Sequence, residues 1–180
     1  MRATTAFVWA SVMAIAVTAT AQTPATASAS AALKQGWDSA KVNIRESATM
    51  MDEANYTFKP VDTVRTYGQI LAHVAGAGYV FCSAAKGEKS PYEEDHFEKN
   101  ATGKAAIVKA VNDAIAYCDS AYEAMTDVKA AETIDLPFGM GKGSRSFPLT
   151  INYGHFMEHY GNIVTYLRIK GMVPPSSRSR

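Results

Sequence analysis

The chain has 180 residues, 18 basic and 17 acidic groups, four histidines and two cysteines. That length fits one domain with a core that needs no obligatory metal or disulfide staple. The near-balanced charge disfavours nucleic-acid binding, which draws on a basic excess to neutralise phosphates, and 47% hydrophobic residues argue against wholesale disorder.

Residues 1–21 read MRATTAFVWASVMAIAVTATA. One arginine, an uncharged Ala/Val-rich run from Ala6 to Val17 and the small-x-small end Ala19-Thr20-Ala21 predict a Sec-type signal peptide cleaved after Ala21. The apolar run is shorter than the roughly 20 residues that span a bilayer, so no membrane anchor is expected after cleavage. There is no twin-arginine pair, and no cysteine precedes Cys82, so no lipidation at a processed cysteine is expected. Removing Arg2 with the leader leaves equal numbers of basic and acidic groups. The expected location is outside the cytoplasm, secreted or, in a Gram-negative cell, periplasmic. Residues 22–30 (QTPATASAS) read as a flexible leader, and 178–180 as a tail.

Four stretches have helical periodicity. In the first, over 31–51, Leu33, Trp37, Ala40, Ile44, Ala48 and Met51 share a face. The second starts at Thr66, which with Gln69 fits a capping box. It carries Ile70, Val74, Ala77, Phe81 and Ala84 and stops at Gly87. The third follows Thr102 and carries Ile107, Val111, Ala114, Cys118, Tyr122 and Met125. The fourth begins near Pro148, a first-turn residue, carries Phe156, Tyr160, Ile163 and Leu167, and ends at Gly171. Residues 86–100 form a charged connection, and 126–147 a longer one. The latter's Gly139–Gly143 segment lacks the spacing and preceding strand of a phosphate loop and reads as a surface loop. No segment alternates with period two. The expected fold is all-α, a four-helix bundle.

Three of the four histidines fall within helices. His155 and His159, four residues apart, share one helical face, where two imidazoles can hold one cation. His73 lies mid-way along the second helix, towards the core. Three nitrogen ligands would leave an open position for water or substrate, as in a catalytic site. A hydrogen-bonded core histidine is the plainer reading of His73 alone, and a surface pair that of His155 and His159. His96, in an acidic run, is expected to be solvated. His155–His159 also fits the inverted zinc-protease pattern, but Glu158 is the last acidic residue, so the further downstream carboxylate is missing and that reading is rejected. Asn152 and Asn162 are candidates to orient the ligands. Tyr153, Glu158 and Tyr160 are near enough in sequence to be considered as a general base, with none preferred.

The segments FKP (58–60), RTYGQILAHVAGAGYVFCSAAKG (65–87) and HYGNIVTYLRIKGMVPPSS (159–177) resemble the DinB-like (damage-inducible, YfiT-type) family of metalloenzymes over residues 31–177. The resemblance implies a mirror variant of the up-and-down four-helix bundle. It implies His73, His155 and His159 as ligands of a divalent metal, typically zinc or nickel. Family members include thiol-dependent transferases and isomerases. An exported chain would lie away from the cytoplasmic thiols these use. Two functional readings follow: a metal-dependent hydrolase or transferase acting on a small molecule, and a non-catalytic stress protein that binds a metal or small ligand. A homodimer is compatible with either.

Cys82 and Cys118 lie on or beside the apolar faces of the second and third helices. Export favours a disulfide, worth at most roughly 4 kcal/mol across this span. Two buried free thiols are the other reading.

Overall fold

The computed structural model describes residues 28–178. The predicted signal peptide lies outside them. Four long helices dominate: α1 (Ala29–Met50), α2 (Tyr67–Lys86), α4 (Gly103–Glu123) and α6 (Phe147–Ile169). Short helices α3 (His96–Asn100) and α5 (Asp127–Ala130) and a two-stranded hairpin, β1 (Thr133–Asp135) and β2 (Lys142–Ser144), occupy the connections. Among the described residues no helix is long and apolar enough to cross a membrane.

The helix ends follow their capping chemistry. Thr66 and Gln69 form the reciprocal capping box at the start of α2. Gly87 ends that helix in the left-handed region at φ 76°, and its amide donates to the Ala84 carbonyl. Gly171, at φ 72°, follows the end of α6 in the same way. The leader expectation for 22–30 fails at its last residues. Ser28 caps α1 by accepting from the Ala31 amide, and the Ser30 amide donates to Asp127 Oδ1 at 2.9 Å, so these residues are tied down by hydrogen bonds.

The packing order is not that of a simple up-and-down bundle. α2 packs mainly on α4 and α6, and α1 also packs mainly on α4 and α6. Around the bundle the order is therefore α1, α4, α2, α6. The connections α1–α2 and α4–α6 therefore run diagonally, whereas α2–α4 joins neighbours. α2 is buried on nearly every side because Ala72, Ala75, Gly76, Ala77 and Gly78 keep it slim.

The core centres on Trp37, fully buried, stacked on Tyr122 at 4.7 Å and edge-on to Phe156 at 4.8 Å. The indole and phenol groups there are paired, although Asn152 Oδ1 is buried without a partner. Trp37 Nε1 donates to Asp119 at 2.7 Å, and the Tyr122 hydroxyl donates to the Leu149 carbonyl at 2.7 Å. Burial pushes the Tyr122 hydroxyl pKa well up, so it stays protonated and donates. Cys82 of α2 and Cys118 of α4 are both fully buried, with Cα atoms 5.3 Å apart and sulfurs at bonding distance.

The hairpin corrects the expectation of no strand. Three residues per strand are too few to show alternation. Its pairing, Thr133 with Ser144 and Asp135 with Lys142, is closed by Gly139 and Gly141, both at positive φ.

Candidate metal centre

His73 sits on α2 one helical turn before Gly76, and His155 and His159 sit on the face of α6 packed against it. His73 and His159 are buried and His155 is half-buried. The three rings turn Nε2 towards one point. His155 Nε2 lies 3.1 Å from His73 Nε2 and 3.1 Å from His159 Nε2. Suitable ligand atoms of all three lie within 4.8 Å of one another, the one such group of three among the described residues.

Hydrogen bonding alone cannot satisfy this arrangement. A ring nitrogen carries either one proton or one lone pair, so His155 Nε2 can serve only one of its two neighbours. Its Nδ1 is buried and has no partner. Three converging lone pairs fit a cation instead. A tetrahedral zinc with nitrogens at about 2.0–2.1 Å spaces them roughly 3.4 Å apart, close to the spacing seen here. Burial, and after it the neighbouring imidazoles, lowers the pKa of His155 to about 3 and that of His159 to about 4. Both rings are therefore neutral at pH 7, the form that binds metal.

Carboxylates complete the surroundings. Glu98 Oε1 lies 3.0 Å from His73 Nδ1, and its other oxygen takes the Arg65 guanidinium at 3.0 Å. With Nδ1 as donor to Glu98, His73 keeps its Nε2 lone pair facing the other two histidines. Glu94 Oε1 lies 3.9 Å from His73 Nε2, at the outer edge. Gly76 makes this approach achievable. A Cβ there would lie 1.9 Å from the Glu94 carbonyl oxygen, so only glycine lets the 92–95 segment rest on α2.

The family model described as the DinB superfamily matches residues 37–163. The chain belongs to the DinB superfamily. Solved structures share the fold at low identity. A DinB-like protein from Bacillus subtilis is 19% identical, with a TM-score of 0.66, covering 83% of this chain and 99% of its own. One from Bacillus cereus is 16% identical, with a TM-score of 0.65, covering 82% and 96%. YfiT from Bacillus subtilis, described as a probable metal-dependent hydrolase with an unusual four-helix bundle topology, is 15% identical, with a TM-score of 0.61, covering 80% and 89%. No curated protein matches the chain.

Against this DinB bundle the remaining candidates divide. Asn162 lies 3.4 Å from His159 Nδ1, where its amide can fix that ring. Asn152 is fully buried elsewhere, donating to the Tyr122 hydroxyl at 3.1 Å. Tyr160 donates to Ser176, and the Tyr153 ring packs at Gly36 of α1, so neither serves the histidines. Glu158 is exposed beside His159. His96 is half-buried rather than solvated, because its ring stacks on Tyr92 at 4.6 Å. Arg65, Glu94 and Glu98 escaped the sequence reading. The signal was there in one respect: Glu94 and Glu98 are four residues apart and share a side if the segment turns helical.

Proposed function

We propose that this chain is an exported, metal-dependent hydrolase. His73, His155 and His159 hold one divalent ion, zinc or nickel. The observation that carries this reading is the convergence of three Nε2 atoms in a site where no hydrogen-bond scheme satisfies them. When bound, the ion would supply Lewis acidity. The chain's own groups do the rest. Glu98 orients His73, Arg65 holds Glu98, and Glu94, on the open side, is placed to hold a proton. The hydrolase class is favoured over thiol transfer because an exported enzyme lacks the cytoplasmic thiols. YfiT's description as a metal-dependent hydrolase supports it. One neighbour of the same fold, a mycothiol-dependent maleylpyruvate isomerase, marks the competing chemistry.

Export is proposed from the leader and supported by the close approach of Cys82 to Cys118, which we take as a disulfide suited to an oxidising compartment. N-terminal sequencing of the exported protein should begin at Gln22, and an intact Met1 would contradict it. The hydrolase reading is tested with a panel of chromogenic esters, amides and phosphoesters. Turnover should vanish on chelation and return with zinc or nickel. Turnover indifferent to chelation, or thiol-dependent transfer in its place, would contradict it.

A further inference from the structure

A cavity of about 460 Å³ opens between Val80 of α2, the 89–95 segment and the hairpin tip, with none of the three histidines in its lining. Glu94 connects it to the histidine cluster, since this residue lines the cavity and its carboxylate lies 3.9 Å from His73 Nε2. Phe138, at the tip, forms another wall. Its ring lies 5.6 Å from that of Phe81, which in turn lies 6.0 Å from His155.

Phe138 is held in a costly way. It is the one non-glycine residue at positive φ among the described residues, at φ 58°. A bulky aromatic disfavours that conformation, at a cost of order 1–3 kcal/mol. Burial of the ring does not offset the cost, because Phe138 remains 56% exposed. The hairpin that imposes it is anchored. Arg145 pairs with Glu132 at 2.7 Å and donates to the Ala85 carbonyl at 3.1 Å. Leu136 packs so closely on Gly143 that a Cβ there would lie 2.8 Å from it. A rigid hairpin therefore presents a solvent-facing aromatic ring at a cavity whose Glu94 wall adjoins His73.

The cavity's remaining walls set the chemistry. Tyr92 and Val80 add apolar surface, and Glu93 and Glu94 face a single Lys89. Asp95 is taken by Lys99 outside. The balance is acidic beside aromatic, which repels anions and suits a cation next to a flat apolar group.

We propose that this cavity is the substrate pocket of the histidine centre, and that it takes a small molecule in which an aromatic or flat apolar group adjoins a positively charged amine. The ring lies beside Phe138 and Tyr92, and the amine faces Glu93 and Glu94. The inference rests on the metal-dependent reading above and gives it a substrate class.

The test uses zinc-loaded protein titrated by ligand-observed NMR with benzyltrimethylammonium, which has no lone pair for the metal, and with benzenesulfonate. The ammonium should bind, and the sulfonate at least about three-fold more weakly. Phe138→Gly and Glu94→Gln should each weaken ammonium binding about three-fold. Phe138→Gly should melt no lower than the parent, since glycine accepts the left-handed backbone, and should keep its zinc affinity. Equal binding of the sulfonate, absence of ammonium binding, or ammonium binding indifferent to Phe138→Gly would each overturn the proposal. Zinc uptake is read in the same samples. Ammonium binding without zinc would leave the pocket standing and overturn the metal centre, and zinc uptake without ammonium binding would do the reverse.

Discussion

The α1–α4 side of the bundle and the α2–α6 seam use burial in opposite ways. Around Trp37 the indole and the Tyr122 hydroxyl find partners and the aromatic rings pack at ordinary stacking distances, with Asn152 Oδ1 an isolated exception. At the seam, three imidazoles, two buried and one half-buried, bring together more nitrogens than hydrogen bonds can serve. Groups of the first kind stabilise the fold by themselves. Groups of the second kind cost stability until a ligand satisfies them. The contrast separates scaffold from site without reference to any relative, and substitutions on the two sides should behave differently.

The largest effect is expected on the scaffold side. Trp37→Ala should lower stability by about 3–5 kcal/mol, read by denaturant unfolding, because it empties a fully buried site and breaks the bond to Asp119. Zinc affinity of the fraction that folds should stay unchanged. A Trp37→Ala protein of parental stability would break the comparison. The proposed Cys82–Cys118 disulfide comes next. Cys82→Ser with Cys118→Ser should cost about 2–4 kcal/mol, and free-thiol counts on the parent should rise only after reduction. Equal counts before and after reduction would rule the bond out.

On the site side, Glu98→Gln should weaken zinc binding by about 10- to 100-fold in a competition titration, with little change in the melting of the metal-free protein. An unchanged zinc affinity would show that Glu98 does not orient His73. The site side also predicts a pH response of the metal-free protein. His155 and His159 have folded pKa values of about 3 and about 4, below the ordinary value of 6.5. Below about pH 6.5 the unfolded chain therefore binds protons that the folded one refuses, and stability falls as pH drops towards those values. Melting temperature measured from pH 7 to pH 4 should fall more for the parent than for His155→Ala. Equal slopes would show that burial of His155 carries no such cost.

How much of this was legible follows from the range of each interaction. The helices and their caps were readable because apolar spacing and Thr66–Gln69 are local signals. The His155–His159 pair was readable for the same reason, and the family resemblance joined His73 to it. The packing order was not readable from periodicity, since nothing in a helix's own spacing says which neighbour its face will meet; the family resemblance supplied it, as a mirror variant of the up-and-down bundle. Glu94 and Glu98 were hidden because α3 is five residues long, too short for periodicity, and reaches the histidines only through the close approach at Gly76. The hairpin was hidden by its three-residue strands, and Phe138's left-handed backbone by the absence of any residue-level signal for strain. The reading erred where it used sequence nearness as a proxy for space. Tyr153 and Tyr160 flank the ligands along α6 yet face other partners, because a helix turns its residues away from one another within a single turn.

The central claim is that the three histidines form one metal centre, and metal stoichiometry tests it most directly. Protein purified without chelator, then dialysed against zinc and analysed for bound metal, should hold about one ion per chain, and His73→Ala and His155→Ala should hold none at the same free zinc. A folded parent that retains no zinc or nickel, or variants that retain as much as the parent, would contradict the account.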